Sequence, residues 1–160
     1  MGVDPRDDDT LDRACDLGLA FQLANIARDV EEDDAAGRCY LPLDWLAAAD
    51  IPPGEHMKPH YRRSLVPVVH RLCTMARGFE ASARIGAVRL RFRQRWAVLS
   101  AAGIYGAIAR EVDKAGAHAW DHRISTSKAA KLGHVAKALV LAMLPPPRGG
   151  LARPNWSRRE

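Results

Sequence analysis

Apolar residues recur along this chain at spacings of three and four, with few β-branched runs and long stretches rich in alanine, leucine and arginine. That periodicity belongs to amphipathic helices rather than strands. A first helix is predicted from about Asp9 or Thr10 to about Asp34, ahead of Gly37. Pro5 and the run Asp7-Asp8-Asp9 lead into it, offering N-cap oxygens and negative charge for the positive end of the helix dipole. Pro42 and Trp45 mark a short element from Pro42 to Ala49, closed by Ile51-Pro52-Pro53-Gly54. A second long helix spans about Tyr61 to Ile85, with Leu65, Val68, Val69, Leu72 and Met75 at helical spacing. A third runs from about Arg95 to Ala115, and a fourth from about Thr126 to Leu144 before Pro145-Pro146-Pro147. The predicted fold class is all-α, a helical bundle. The tail from Arg148 to Glu160 is basic and carries Gly and Pro, so it is expected to be disordered.

Composition leaves this picture standing: 160 residues, 48% hydrophobic and 27% charged, suit one soluble domain or part of one, long enough to bury a core. Charge adds an asymmetry. Residues 1–37 carry 11 acids against 3 bases, and residues 38–160 carry 8 acids against 21 bases. An acidic head that gathers cations and a basic body that faces phosphate, nucleic acid or a membrane surface is one reading, and plain solvated charge is the other. Cys15, Cys39 and Cys73 are odd in number and lack a C-x-x-C spacing, so neither a disulfide framework nor a zinc ribbon is expected, and a reducing compartment fits. No apolar run approaches a membrane span, and Met1-Gly2-Val3-Asp4-Pro5 does not open as a signal peptide. The expected location is cytoplasmic.

Chemistry concentrates on the first helix. At about 100° per residue, Gln22, Asn25, Asp29 and Asp33 fall within an arc of about 80°, beside an apolar stripe of Leu19, Leu23, Ile26 and Val30 that is expected to be buried. Carboxylates at a core edge are relieved by ion pairing, protonation or metal binding. Two acids one turn apart, backed by two amide side chains, supply hard oxygen ligands of the kind Mg²⁺ accepts when water and phosphate complete its shell. The same spacing also fits a solvated helix end in which Asp29 and Asp33 pair with Arg28 or with arginines of the basic body.

The residues Gln22-x-x-Asn25-x-x-Arg28-Asp29-x-x-x-Asp33, followed by Gly37-Arg38-Cys39-Tyr40-Leu41-Pro42-x-x-Trp45-Leu46, resemble the second aspartate-rich motif of the squalene/phytoene synthase family, in the version of bacterial phytoene synthases. Ile104-Tyr105-Gly106-Ala107-Ile108 and Arg123-Ile124-Ser125-Thr126-Ser127-Lys128-x-x-Lys131-Leu132 resemble that family's C-terminal helices in the same order. The resemblance implies an all-α bundle of the terpenoid (isoprenoid) synthase type. It implies carotenoid biosynthesis by Mg²⁺-dependent head-to-head condensation of two geranylgeranyl diphosphates to phytoene through a cyclopropyl (prephytoene) diphosphate. Mn²⁺ is the other candidate ion, and no nicotinamide cofactor is expected. Carried over by position, Asp29 and Asp33 are the catalytic carboxylates that hold the metal, and Gln22 and Asn25 line the diphosphate pocket. Arg28, Arg38, Tyr40, Tyr105 and Arg123 contact diphosphate or shape the cavity.

One departure matters. The family's domain is about twice this length and carries a first aspartate-rich motif on an earlier helix, which nothing here matches; Asp7-Asp8-Asp9 reads as capping and solvated charge. Residues 1–144 are therefore expected to be the C-terminal half of such a domain and residues 145–160 a basic tail. The lone chain is expected to be inactive until an N-terminal half completes it, and to self-associate through the apolar face otherwise exposed. A non-catalytic homologue that binds a prenyl diphosphate or a protein is the alternative, against which the retained Gln22, Asn25, Asp29, Asp33 and Arg38 argue.

Other motifs carry less. Ser125-x-x-Lys128 has the spacing of serine acylating enzymes without their partner motifs, and a Ser/Thr pair opening a helix reads as an N-cap. His118-x-x-x-His122 and His56-x-x-x-His60 have ligand-like spacing but read as surface or loop histidines. Arg89, Arg91, Arg93 and Arg95 alternate with Leu90, Phe92, Gln94 and Trp96. This segment reads as a basic loop entering a helix with Phe92 and Trp96 packed inward, with no nucleic acid expected and substrate-side electrostatics or peripheral contact with anionic lipid as the functional alternatives. Residues 138–144 are too few to span a bilayer and read as the end of a core helix.

Overall fold

The computed structural model describes residue 4 and residues 6–145; the predicted disordered tail and most of the 145–160 segment lie outside the described residues. Six α-helices follow one another: α1 (Asp8–Arg28), α2 (Val30–Ala35), α3 (Leu43–Ala48), α4 (Arg62–Ala87), α5 (Phe92–Ala115) and α6 (Lys128–Met143), with 3₁₀ turns at Pro59–Tyr61 and Gly116–His118. Among the described residues there is no strand. Asp7, in the acidic run expected to cap it, caps α1 by accepting the Thr10 backbone N–H, whereas α6 is capped by Ser127, which accepts the Ala130 N–H, and not by the Ser125-Thr126 pair.

Helices α1, α4 and α5 pack on one another, and α6 packs on α5. The main core joins Leu65, Val68, Val69, Leu72 and Cys73 of α4 to Ala24 and Ala27 of α1 and to Ile108 and Val112 of α5. Leu41, Leu46 and Ile51 close its α3 end. A smaller cluster of Ala87, Leu99, Ala138 and Ala142 seats α6, which Trp96 and Arg95 also tie down through bonds from Trp96 Nε1 to the Val135 carbonyl (3.0 Å) and from Arg95 to the carbonyls of Leu141 and Leu144 (3.0 and 3.1 Å).

Four expectations need correction. The first helix does not run unbroken to Asp34: Asp29 adopts φ −95°, ψ 14° and separates α1 from α2. The Trp120 indole donates to the Ala27 carbonyl in the last turn of α1 (3.1 Å), and a side chain donating into a helical ladder is a recognised cause of such breaks. The expected leucine stripe is buried only in part: Val30 is buried and Leu23 and Ile26 pack against the core, but Leu19 is exposed. The most buried face of α1 is Ala20, Ala24 and Ala27 with Thr10, Asp12, Arg13 and Asp16. Small residues let α1 approach α4 closely: a Cβ added at Gly86 would lie 2.7 Å from Arg13 Cβ. Phe92 is exposed rather than packed inward, whereas Trp96 packs against the smaller cluster. The outer face of α6 likewise leaves Leu132, Val140 and Met143 exposed, so residues 138–144 end a helix buried on one side only.

Two expected results follow from the packing. Burial pushes the Cys73 thiol up to about 12, whereas Cys15 and Cys39 are exposed; a thiol-reactive dye should therefore label Cys15 and Cys39 in the native chain and reach Cys73 only on unfolding. Asp113 on α5 receives Arg77 of α4 (2.6 Å) and lies 2.6 Å from His70 of the same helix. Burial raises its carboxyl, but these partners more than offset that and hold it below its ordinary value. A carboxyl depressed in the folded state adds stability above its unfolded value of about 3.9, which fades as pH falls through the folded value. In urea titrations Asp113→Asn should narrow the gap in stability between about pH 7 and pH 3.

Candidate functional site

The α1–α2 break sets Asp29 at a corner where three chain segments meet. Its carboxylate accepts a two-pronged grip from Arg28, with Nε to Oδ1 at 2.6 Å and a terminal nitrogen to Oδ2 at 2.5 Å. Arg123 reaches the same Oδ1 at 3.3 Å and Glu32 Oε1 at 3.3 Å. Arg28 holds the Asp29 carboxyl below its usual range against the opposing effect of burial, with help from Arg123. The Trp120 bond to Ala27, and Asp121 held between Arg62 (2.9 Å) and His118 (2.8 Å), pin the segment that delivers Arg123.

One turn further on, Asp33 accepts both Nε (3.2 Å) and a terminal nitrogen (3.0 Å) of Arg38 through Oδ1. Backbone geometry sets this pair. Gly37 takes φ +69°, its N–H bonds the Asp34 carbonyl and the Arg38 N–H bonds the Asp33 carbonyl, both at 2.8 Å. This is the paired pattern that ends a helix on a left-handed glycine and folds the next residue back over the last turn. Tyr40 is exposed and lines a small crevice with Asp33, Arg38 and His56.

The structure thus brings Arg28, Asp29 and Arg123 together, with Asp33 and Arg38 on the adjoining turn and Tyr40 beside them. Tyr105 of α5 stacks on Phe21 of α1, ring centroids 4.0 Å apart. Gln22 is exposed and Asn25 half-buried on the turns before Asp29, and no side-chain bond joins either to the two aspartates among the described residues. Beyond Arg123 opens a cleft of about 550 Å³, walled by Ile108 and Glu111 of α5, by Ser125 and Ser127, and by His134 of α6.

Three contributors were missed from sequence. Glu32 was hidden in an acidic run with no feature to single it out, and Trp120 acts across 93 positions of chain. His56, read as a surface or loop residue, is buried at 1% exposure with Nε2 3.4 Å from Asp34, and its Nδ1 has no partner among the described residues. The other histidine pair fits its reading better, His118 and His122 both being exposed.

Among the described residues no group of three or more His, Cys, Asp or Glu side chains is placed to hold a metal ion. Asp29 and Asp33 nevertheless offer hard, partly exposed carboxylate oxygens one turn apart, and Mg²⁺ accepts one or two carboxylates when water and phosphate fill the rest of its shell. The residues fit such a partial shell, with the arginine grips as competitors for the same oxygens.

A family model described as squalene/phytoene synthase matches residues 1–130. A 15-cis-phytoene synthase of Enterobacter agglomerans is 47% identical over 138 residues, covering 86% of this chain and 46% of the relative. One from Paracoccus sp. (strain N81106 / MBIC 01143) is 52% identical over 134 residues, 83% of this chain and 42% of the relative. One from Pantoea ananas is 42% identical over 160 residues, 99% of this chain and 51% of the relative. The chain spans about half the length of the curated relatives it matches.

Proposed function

This chain belongs to the squalene/phytoene synthase family, and from that premise we propose that it is the metal- and diphosphate-binding half of a phytoene synthase, residues 1–144 corresponding to the C-terminal half of the domain. The reaction is the head-to-head condensation of two geranylgeranyl diphosphates to phytoene through a cyclopropyl diphosphate, a step of carotenoid biosynthesis. The observation that carries the reading is the corner at Asp29 and Asp33, where two carboxylates meet Arg28, Arg38 and Arg123.

Diphosphate departs from an allylic carbon only as its growing negative charge is neutralised. Mg²⁺ held by Asp29 and Asp33 would supply Lewis-acid neutralisation of that charge. Arg28, Arg38 and Arg123 donate planar, two-pronged hydrogen bonds to phosphate oxygens, and their present grip on carboxylates pre-positions them for it. Gln22 and Asn25 offer amide groups on the turns before the aspartates. Phe21 and Tyr105 form an aromatic wall beside the corner, suited to shielding an allylic cation from water. Prenyl diphosphate is the partner that this chemistry recognises. The names of the relatives reported above are those of synthases, so the non-catalytic reading is not favoured.

No described helix is long and apolar enough to cross a membrane. Leu19 on α1 and the outer face of α6 are the apolar surfaces against which an N-terminal half, a second copy or a lipid surface would rest. The direct test joins this chain to the N-terminal half of the Pantoea ananas relative. The fusion should turn geranylgeranyl diphosphate into phytoene with Mg²⁺ and not in EDTA; a folded, soluble fusion without turnover would refute the proposal.

A further inference from the structure

Glu80 of α4 is a carboxylate at 6% exposure, walled into a second cleft of about 440 Å³ between α4, α5 and α6. Arg84 donates to its Oε1 from Nε (3.0 Å) and a terminal nitrogen (2.7 Å), and Arg110 of α5 donates to Oε2 (2.9 Å). Lys137 and His134 of α6 reach the same cleft and make no hydrogen bond or ion pair among the described residues. The cleft therefore carries three permanent cations against one carboxylate, over an apolar floor of Leu99 and Ala138.

Two features separate this from a surface ion pair. The first is the space made for it. A Cβ at Gly106 would lie 2.0 Å from Glu80 Oε2, and one at Gly103 would lie 3.3 Å from His134 Nδ1. Glycine inside a helix costs about 0.5–1 kcal/mol relative to alanine, and α5 carries two, one turn apart, at the points where Glu80 and His134 enter. The second is unspent donor capacity. Glu80 takes two of the N–H groups of Arg84 and one of those of Arg110, and a guanidinium has five. The carboxylate thus fixes two guanidinium planes without neutralising them, and a partly enclosed wall strengthens their field.

We propose that this cleft is an oxyanion site for a compact phosphate-class anion carrying at least two negative charges, inorganic diphosphate or a phosphate monoester, seated on Arg84, Arg110 and Lys137. The two clefts share only the His134 side chain, and the assignment does not rest on the metal-dependent reading of Asp29 and Asp33.

Calorimetric titration of the 160-residue chain in EDTA tests it, with inorganic diphosphate and glycerol 3-phosphate as separate probes. Saturable binding of at least one probe below about 1 mM is expected. Lys137→Gln should weaken it at least threefold and Arg110→Gln/Lys137→Gln at least tenfold, while Arg63→Gln, at an exposed arginine that lines neither cleft, changes it less than twofold. Lys137 and Arg110 are both exposed, so circular dichroism should report native helix content in these variants, and Lys137→Gln alone keeps the test decisive if the double variant misfolds. Tighter binding of diphosphate marks a free inorganic anion as the occupant, and tighter binding of glycerol 3-phosphate marks an ester. Absence of saturation by about 10 mM, or loss of binding in Arg123→Gln with none in Lys137→Gln, overturns the proposal.

Discussion

Asp29→Asn in a completed synthase is expected to lower turnover of geranylgeranyl diphosphate by at least about 10²-fold, the scale on which loss of one pre-positioned charge stabiliser is felt in catalysis. Asparagine keeps the shape and an acceptor oxygen for Arg28 and loses the negative charge, so the substitution separates ligation from clamping. If the carboxylate holds Mg²⁺, the metal concentration for half-maximal rate rises together with the loss of kcat. If it serves only to orient Arg28 and Arg123, Arg28→Gln is equally damaging and the metal dependence stays put. Asp33→Asn should follow the same pattern, since among the described residues Asp33 too is gripped by an arginine, Arg38, as Asp29 is by Arg28 and Arg123. The fold should tolerate both changes better than loss of a fully buried carboxylate, because these side chains keep some contact with water, at 19% and 16%, and asparagine still accepts from the arginines. Turnover within about threefold of the unsubstituted protein in both variants would remove the metal role.

Several helix ends were legible because local chemistry closes them: Asp7 at the start of α1, Gly37 after α2 and Gly116 after α5. The aspartates were legible for a similar reason, since a turn of helix fixes Asp29 against Asp33 whatever the tertiary structure does. Non-local events were not legible. The corner at Asp29 depends on Trp120, and the delivery of Arg123 depends on Arg62 holding Asp121; periodicity has no access to contacts between such distant positions. The burial of α1 was legible only in part because its hydrophobic pattern has two claimants. Leu23, Ile26 and Val30 of the leucine stripe do meet the core, but helix axes approach closest over alanines, and the close contact with α4 takes the alanine face.

That close contact carries a large expected stability effect, in an acidic head that the sequence left open between gathering cations and plain solvated charge. Asp16 is fully buried and accepts the Ser82 hydroxyl; Ser82 Oγ in turn accepts an Arg13 N–H at 2.9 Å, and Arg13 reaches Asp9 at 3.0 Å. Arg13 is itself 7% exposed and lies against the position a Gly86 Cβ would occupy. Asp16→Ala should cost about 3 kcal/mol, because it strips a buried carboxylate from a network whose guanidinium cannot reach water without parting α1 from α4. For a chain of this size that is a fall in Tm of about 10 °C by calorimetry. Ser82→Ala, which leaves both charges in place and removes the relay, should cost less. The discriminating variant is Arg13→Met/Asp16→Leu. If the network is a buried charge system, removing both ends together recovers much of the single-variant loss, since well-packed apolar side chains replace charges that were costly to dehydrate. Purely additive losses would mean that the two side chains act through separate packing contacts, and the acidic head of this helix would then owe its burial to shape rather than to charge.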